Sequence, residues 1–225
     1  VLTGTDLLAG GVVLVVALLG WASLVLAHLG AHSLAGAVLL GLGLLVVVVG
    51  IALLGSRRPR FRLDLGGVVV ALVCAGIAAA LTFPGFSYGV ADKDPGGYVA
   101  HAVEIAHTGD YSFIDPILAA KQPDGRPLDV QLSSPSARLA GVWIKDEATG
   151  KIVPQFYHLW PALLATSYDV SGYDGIRFVV PLAGVLAVLL LVALLRRVGT
   201  AVAGPVGGLV AAGAGGLLLA TNMLE

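Results

Sequence analysis

The apolar sequence of this chain is gathered into runs of about 20 residues, the length an α-helix needs to cross a bilayer. Such runs leave little choice of fold. In lipid every main-chain N–H and C=O must find a partner within the protein, so a single run folds as a helix. Five runs stand out, at about 6–29, 33–55, 65–86, 176–197 and 201–220. The chain is 57% hydrophobic and 12% charged, against about 45–50% and 25% for a soluble domain. The reading is an all-α polytopic membrane protein with about five transmembrane helices. One polar segment, roughly 88–158, interrupts the pattern and carries most of the acids. It is too polar to cross and predicts a large structured loop, about 87–175, on one membrane face.

Orientation follows from the arginines. Arg57, Arg58, Arg60 and Arg62 lie between the second and third runs, and Arg196 and Arg197 between the fourth and fifth. Alternating spans put both clusters on one side, which the positive-inside rule makes the cytoplasm. The expectation is a multi-pass protein of the cytoplasmic (plasma) membrane. Its N-terminus is inside, and the His28–Ser33 turn and the acidic loop are outside. The first run lacks a basic n-region and an Ala-x-Ala-like site, so it reads as a retained helix rather than a signal peptide. The chain starts at Val1 without methionine and is read as a piece of a longer protein.

The external loop carries its own local signals. Asp94-Pro95 reads as a helix start, with Asp as N-cap and Pro at the first helical position. The helix runs over 96–108 and stops at Thr108-Gly109. Val99, Ala102, Val103 and Ala106 form an apolar stripe, suited to packing on a bundle or lying on the membrane surface. Residues 109–140 read as ordered loop, with Asp110 and Asp115 as loop acids. Gly141–Lys145 and Lys151–Val153 flank Asp146–Gly150, which predicts a β-hairpin. Gln155–Tyr168 reads as a second outer helix with Pro161 near its start.

Several residues in this loop are chemically interesting. Asp92 and Asp94 sit just beyond the third helix, where low-dielectric walls strengthen a carboxylate's field. Two carboxylates at this spacing can share a divalent cation such as Mg or Mn, or one can take a proton from a hydroxyl nucleophile. The plain alternative is that Asp94 caps its helix and Asp92 is solvated. His101, Glu104 and His107 loosely resemble a metal trio, but the two histidines fall on different sides of a helix. Trp143, Tyr157 and Trp160 can stack on sugar rings or form an interfacial belt.

The order of elements resembles the GT-C superfamily of membrane glycosyltransferases. In that family an outward helix leads into a large first external loop opened by an acidic motif, commonly Asp-(Glu/Asp)-x-x-Tyr. Here Asp94-Pro95-Gly96-Gly97-Tyr98 keeps the spacing from Asp to Tyr. Pro95 replaces the usual second acid, and Asp92 supplies a charge from the other side. Ala102–Asp110 resembles the following helix and its glycine stop. Gln155–Leu164 resembles the aromatic and proline segment before re-entry. The likeness covers about 65–225 and is closest to the protein O-mannosyltransferase-like branch and its bacterial lipid-sugar relatives. Residues 1–64, two helices and a basic cytoplasmic loop, are then an N-terminal addition.

The resemblance implies transfer of a sugar from a polyprenyl-phosphate carrier to a glycan, lipid or protein hydroxyl on the outer face, with inversion. Asp94 is then the general base, with Asp92 beside it; Tyr98, Tyr157, His158, Trp160 and Arg177 are candidate substrate contacts. Arg177 lies at the outer end of the fourth run, against the positive-inside trend, where a cation suits a lipid phosphate. Lys93, Arg126 and Arg138 are alternatives for that role. The runner-up is a non-catalytic membrane protein whose outer loop binds a glycan or protein.

Other classes fit poorly. The few positive charges form no basic face for nucleic acid. Cys74 is the single cysteine, so no internal disulfide and no cysteine metal cluster can form. No Gly-x-x-x-x-Gly-Lys-Ser/Thr loop and no His-Glu-x-x-His occurs. The apolar runs lack the buried acids and bases that transporters use.

Overall fold

Helices occupy four of the five apolar runs, those within the described residues, because a single run in lipid has no other way to satisfy its main chain. The computed structural model describes residues 2–55, 61–85, 94–120, 138–139, 142–146 and 148–198. In chain order the elements are β1 (Leu2–Thr3), α1 (Gly4–His28), α2 (Leu34–Leu54), β2 (Phe61–Arg62), α3 (Leu65–Thr82), α4 (Asp94–Thr108) and β3 (Phe113–Ile114). They continue as α5 (Pro116–Ala119), β4 (Arg138–Leu139), β5 (Val142–Asp146), β6 (Lys151–Pro154), α6 (Leu159–Ser171) and α7 (Tyr173–Val198). Among the described residues, α1, α2, α3 and α7 are long and apolar enough to cross a membrane. The expected fifth span, 201–220, lies outside the described residues. In α2 only Ala37 and Gly41 are buried, while Leu54 is 89% exposed. A helix this apolar on every side faces lipid rather than water.

The chain divides into two compact units. The first comprises 1–18, 42–87 and 177–225. Its core is Ala9 of α1, Ala71, Cys74, Ala75 and Ala78 of α3, and Val188, Leu189, Val192 and Ala193 of α7. The small residues recur at helical spacing on α3 and let the backbones approach closely. Cys74 is a buried hydrophobe here. Two ion pairs tie the polar ends of this unit. Arg197 Nε lies 2.9 Å from Asp6 Oδ1, and Arg196 Nη2 lies 2.6 Å from Asp64 Oδ2. Asp64 also caps α3 by accepting from Gly67 N at 3.1 Å. That amide bond and the Arg196 guanidinium hold the Asp64 carboxyl below the usual carboxylate range. Between these helix ends β1 and β2 pair in parallel, Leu2 with Phe61 and Thr3 with Arg62. The basic side chains at 196 and 197 are thus matched by carboxylates.

At the other end of α3, Pro181 sits fully buried inside α7. A proline has no N–H to offer the carbonyl one turn earlier, that of Arg177. Gly85 packs where that carbonyl is exposed. A Cβ at position 85 would overlap the Arg177 carbonyl and lie 2.9 Å from Pro181 Cγ. Arg177 Nε in turn donates to Gly85 O at 3.2 Å, and the Phe83 and Phe178 rings lie 5.6 Å apart. The backbone there cannot yield as a flexible side chain would. Gly85→Ala is therefore expected to destabilise the protein by about 1–3 kcal/mol, read as a lowered unfolding midpoint in detergent.

The second unit comprises 19–41 and 88–176. The α1–α2 turn meets the insert through main-chain bonds: His32 N to Gly109 O at 3.0 Å and Tyr111 N to Ala27 O at 3.2 Å. Gly109, at φ +76°, ends α4 as the Thr108-Gly109 signal predicts. The helix starts at Asp94–Pro95, also as predicted. Of the expected stripe Ala102 is fully buried and Val99, Val103 and Ala106 partly so, but the most buried face also takes in Ile105 and His101. Apolar periodicity could not anticipate a histidine there; its ring is held by a bond to the Tyr111 carbonyl.

The predicted hairpin forms between β5 and β6, with Trp143 opposite Val153 and Ile144 opposite Ile152. Asp146 builds its turn by accepting from Ala148 N at 2.9 Å and Thr149 Oγ1 at 2.8 Å. The hairpin belongs to a larger sheet in the order β3-β6-β5-β4. Within the described part of the segment read as loop, β3, α5 and β4 are regular structure. Asp110 and Asp115 act locally: Asp110 accepts from Ser112 N at 2.9 Å, and Asp115 caps α5 through Ile117 N and Leu118 N. The second outer helix exists as α6, starting later than expected, with Pro161 in its first turn.

A buried polar chain fastens α6 to α1. Ser23 Oγ donates to Ala162 O at 2.6 Å, and Thr166 Oγ1 lies 2.9 Å from Ser23 Oγ. His32 Nε2 lies 3.4 Å from Thr166 Oγ1, and its Nδ1 lies 3.8 Å from Asp169. Burial lowers the His32 pKa, against the opposing pull of Asp169.

Candidate functional site

The first turn of α4 carries the acidic motif, and its main chain begins at Asp94. Asp92, Lys93 and Arg126, with the side chains of Asp94 and Arg138, lie outside the described residues. The divalent-cation site expected at Asp92 and Asp94 lies there too. Further along the turn, Tyr98 is partly buried with its ring 5.0 Å from that of Phe156. A Cβ at Gly97 would touch the same ring at 3.4 Å. The Phe156 ring thus lies within contact distance of the helix at Gly97. The two stretches the sequence singled out, 94–98 and 155–164, therefore meet at Phe156.

The aromatic segment presents different surfaces. Tyr157 is 92% exposed, and Trp160 is half-buried in the first turn of α6. Trp143, on β5, is 42% exposed. Arg177 belongs to the first compact unit, where its Nε is engaged by Gly85 O.

His158 enters a cluster that sequence reasoning missed. Its ring lies 5.2 Å from His28, 5.4 Å from His101 and 4.9 Å from Tyr111. His28 stacks on Tyr111 at 4.4 Å and 16°. Burial pushes the His101 pKa down to about 4, only partly offset by the Tyr111 carbonyl; nearby imidazoles push the same way. The His158 pKa is also lowered, first by burial. His107 lies on the exposed side of α4, its Nε2 3.4 Å from the Tyr168 hydroxyl. The trio His101, Glu104, His107 is thus split, as the helix geometry predicted. Among the described residues no group of three or more His, Cys, Asp or Glu is placed to hold a metal ion.

Comparison with protein-family models, known proteins and solved structures returned no match.

Proposed function

We propose that this chain is the membrane-embedded part of a glycosyltransferase that takes a sugar from a polyprenyl-phosphate carrier. Asp94 removes the proton of an acceptor hydroxyl. The resulting oxygen forms the new bond at the sugar carbon as the carbon–oxygen bond to the lipid phosphate breaks, with inversion. The phosphate departs as an anion and needs a positive partner. In this reading the insert faces the outside of the cytoplasmic membrane. The observation that carries the proposal is the meeting of the α4 first turn with the Phe156 segment. A motif that opens the loop and a motif that closes it share one place, as a substrate site built from both requires. The helices suited to span a membrane support a lipid-borne donor.

The test is transfer in proteoliposomes. Polyprenyl-phosphate sugars are expected to act as donors and nucleotide sugars to fail. No transfer from any lipid-linked donor would count against the reading. Activity that survives thorough chelation excludes a catalytic divalent ion at Asp92 and Asp94.

The exposure of Tyr157 and Trp143 favours one second reading, a loop that binds a glycan or protein partner without turning it over. Under it, glycan binding is lost in Tyr157→Ala while no sugar transfer is seen in the unsubstituted protein.

A further inference from the structure

Three imidazoles of the second unit are each tied to one main-chain carbonyl. His28 Nδ1 lies 2.9 Å from Leu24 O, His101 Nε2 3.0 Å from Tyr111 O, and His158 Nε2 3.4 Å from Pro154 O. A carbonyl oxygen only accepts, so each of these ring nitrogens carries the hydrogen. In a neutral ring the other nitrogen is then a bare lone pair. The remaining nitrogens are His28 Nε2, His158 Nδ1 and His101 Nδ1. His28 Nε2 and His158 Nδ1 face each other at 3.3 Å. Two neutral rings in these tautomers have no hydrogen to share across that gap. An electron-pair acceptor between them resolves the conflict.

Size discriminates between acceptors. A tetrahedral ion held at about 2.0–2.1 Å sets its ligand nitrogens about 3.3–3.4 Å apart. A proton shared between nitrogens prefers a separation nearer about 3.0 Å. The anchoring carbonyls match the usual outer arrangement around a metal-binding histidine, which fixes the tautomer and aims the lone pair. Tyr111, stacked on His28 and tilted against His158, adds a π face that favours positive charge. His101 Nδ1 is a further buried lone pair without a hydrogen-bond partner, on a ring set edge-on to His158.

We propose that His28 Nε2 and His158 Nδ1 form a two-imidazole site for a borderline transition-metal dication, with Zn2+ as the representative ion. Imidazole pairs suit Zn, Cu or Ni rather than Mg or Ca. The other coordination positions go to water or to an anionic oxygen ligand. The site uses neither Asp92 nor Asp94 and does not rest on the transferase reading.

The test uses the full chain in detergent, purified without a polyhistidine tag, in a His107→Ala background that removes an exposed competitor. Calorimetry with Zn2+ is expected to show one equivalent bound, and Co2+ to give the intense visible absorption of a tetrahedral site. His28→Gln and His158→Gln should each weaken binding by at least about tenfold. Should either variant fail to fold, pulsed EPR of Cu2+ on the His107→Ala protein decides, since it counts coordinated imidazoles; two are expected. Absence of stoichiometric binding, an affinity unmoved by both substitutions, or fewer than two imidazoles would overturn the proposal. So would 15N titration showing the pair sharing a proton while Co2+ gives no tetrahedral bands.

Discussion

Asp94→Asn is expected to lower sugar transfer by about 10²–10⁴-fold, the usual contribution of a positioned general base. The substitution is chosen because asparagine caps a helix about as well as aspartate. It keeps the side-chain oxygen that an N-terminal turn requires and removes only the basicity. A cap role and a base role therefore give opposite results. If Asp94 merely starts α4, the variant inserts, folds and turns over like the parent. If Asp94 takes the acceptor proton, the variant inserts and folds but does not turn over. Circular dichroism and the unfolding midpoint establish folding, and initial rates with a polyprenyl-phosphate sugar establish activity.

The second large effect is acid destabilisation of the insert through His101. This side chain is 3% exposed, and its folded pKa of about 4 lies below the ordinary value near 6.5. The fold thus prefers the neutral ring. Between those two values the unfolded chain binds a proton that the folded chain does not, so stability falls as pH falls. The contribution is intact above about pH 6.5 and fully lost near about pH 4, a change of about 3 kcal/mol. His32 and His158, also lowered by burial, act with the same sign. The measurement is therefore a difference. In metal-free buffer, hydrogen exchange of the α4 amides is followed across this window in the parent and in His101→Phe, which has no titrating ring. The parent is expected to show the steeper loss of protection. Equal slopes would mean that His101 is not held neutral by its surroundings.

Four of the five expected spans are seen as helices, and they are legible because hydropathy is a sum over many residues and tolerates errors at any one. The bounds of α1 and α2 fall within about two residues of the expected ends, the precision such readings allow. The hairpin was legible for a different reason: Asp146–Gly150 carries turn chemistry in its own side chains. Non-local features were not legible. β3 pairs with β6 through Phe113 and Ile152, and neither residue announces the other. His28 meets His158 although 130 residues separate them in sequence. The ion pairs of Asp6 and Asp64 with Arg197 and Arg196 have the same character. In the sequence alone the arginines carry only a topological signal. Of the candidate site, the sequence pointed to the stretches that meet at Phe156, but it gave no hint of the imidazole cluster beside them.

The most direct measurement is an experimental structure of the protein in a lipid nanodisc with a non-hydrolysable polyprenyl-phosphate sugar bound. The sugar carbon and an acceptor hydroxyl are expected beside the Asp94 carboxylate, with the prenyl chain running into the membrane. A carboxylate at position 94 turned to bulk water, bonded only to amides of its own helix and with the donor bound elsewhere, would contradict it.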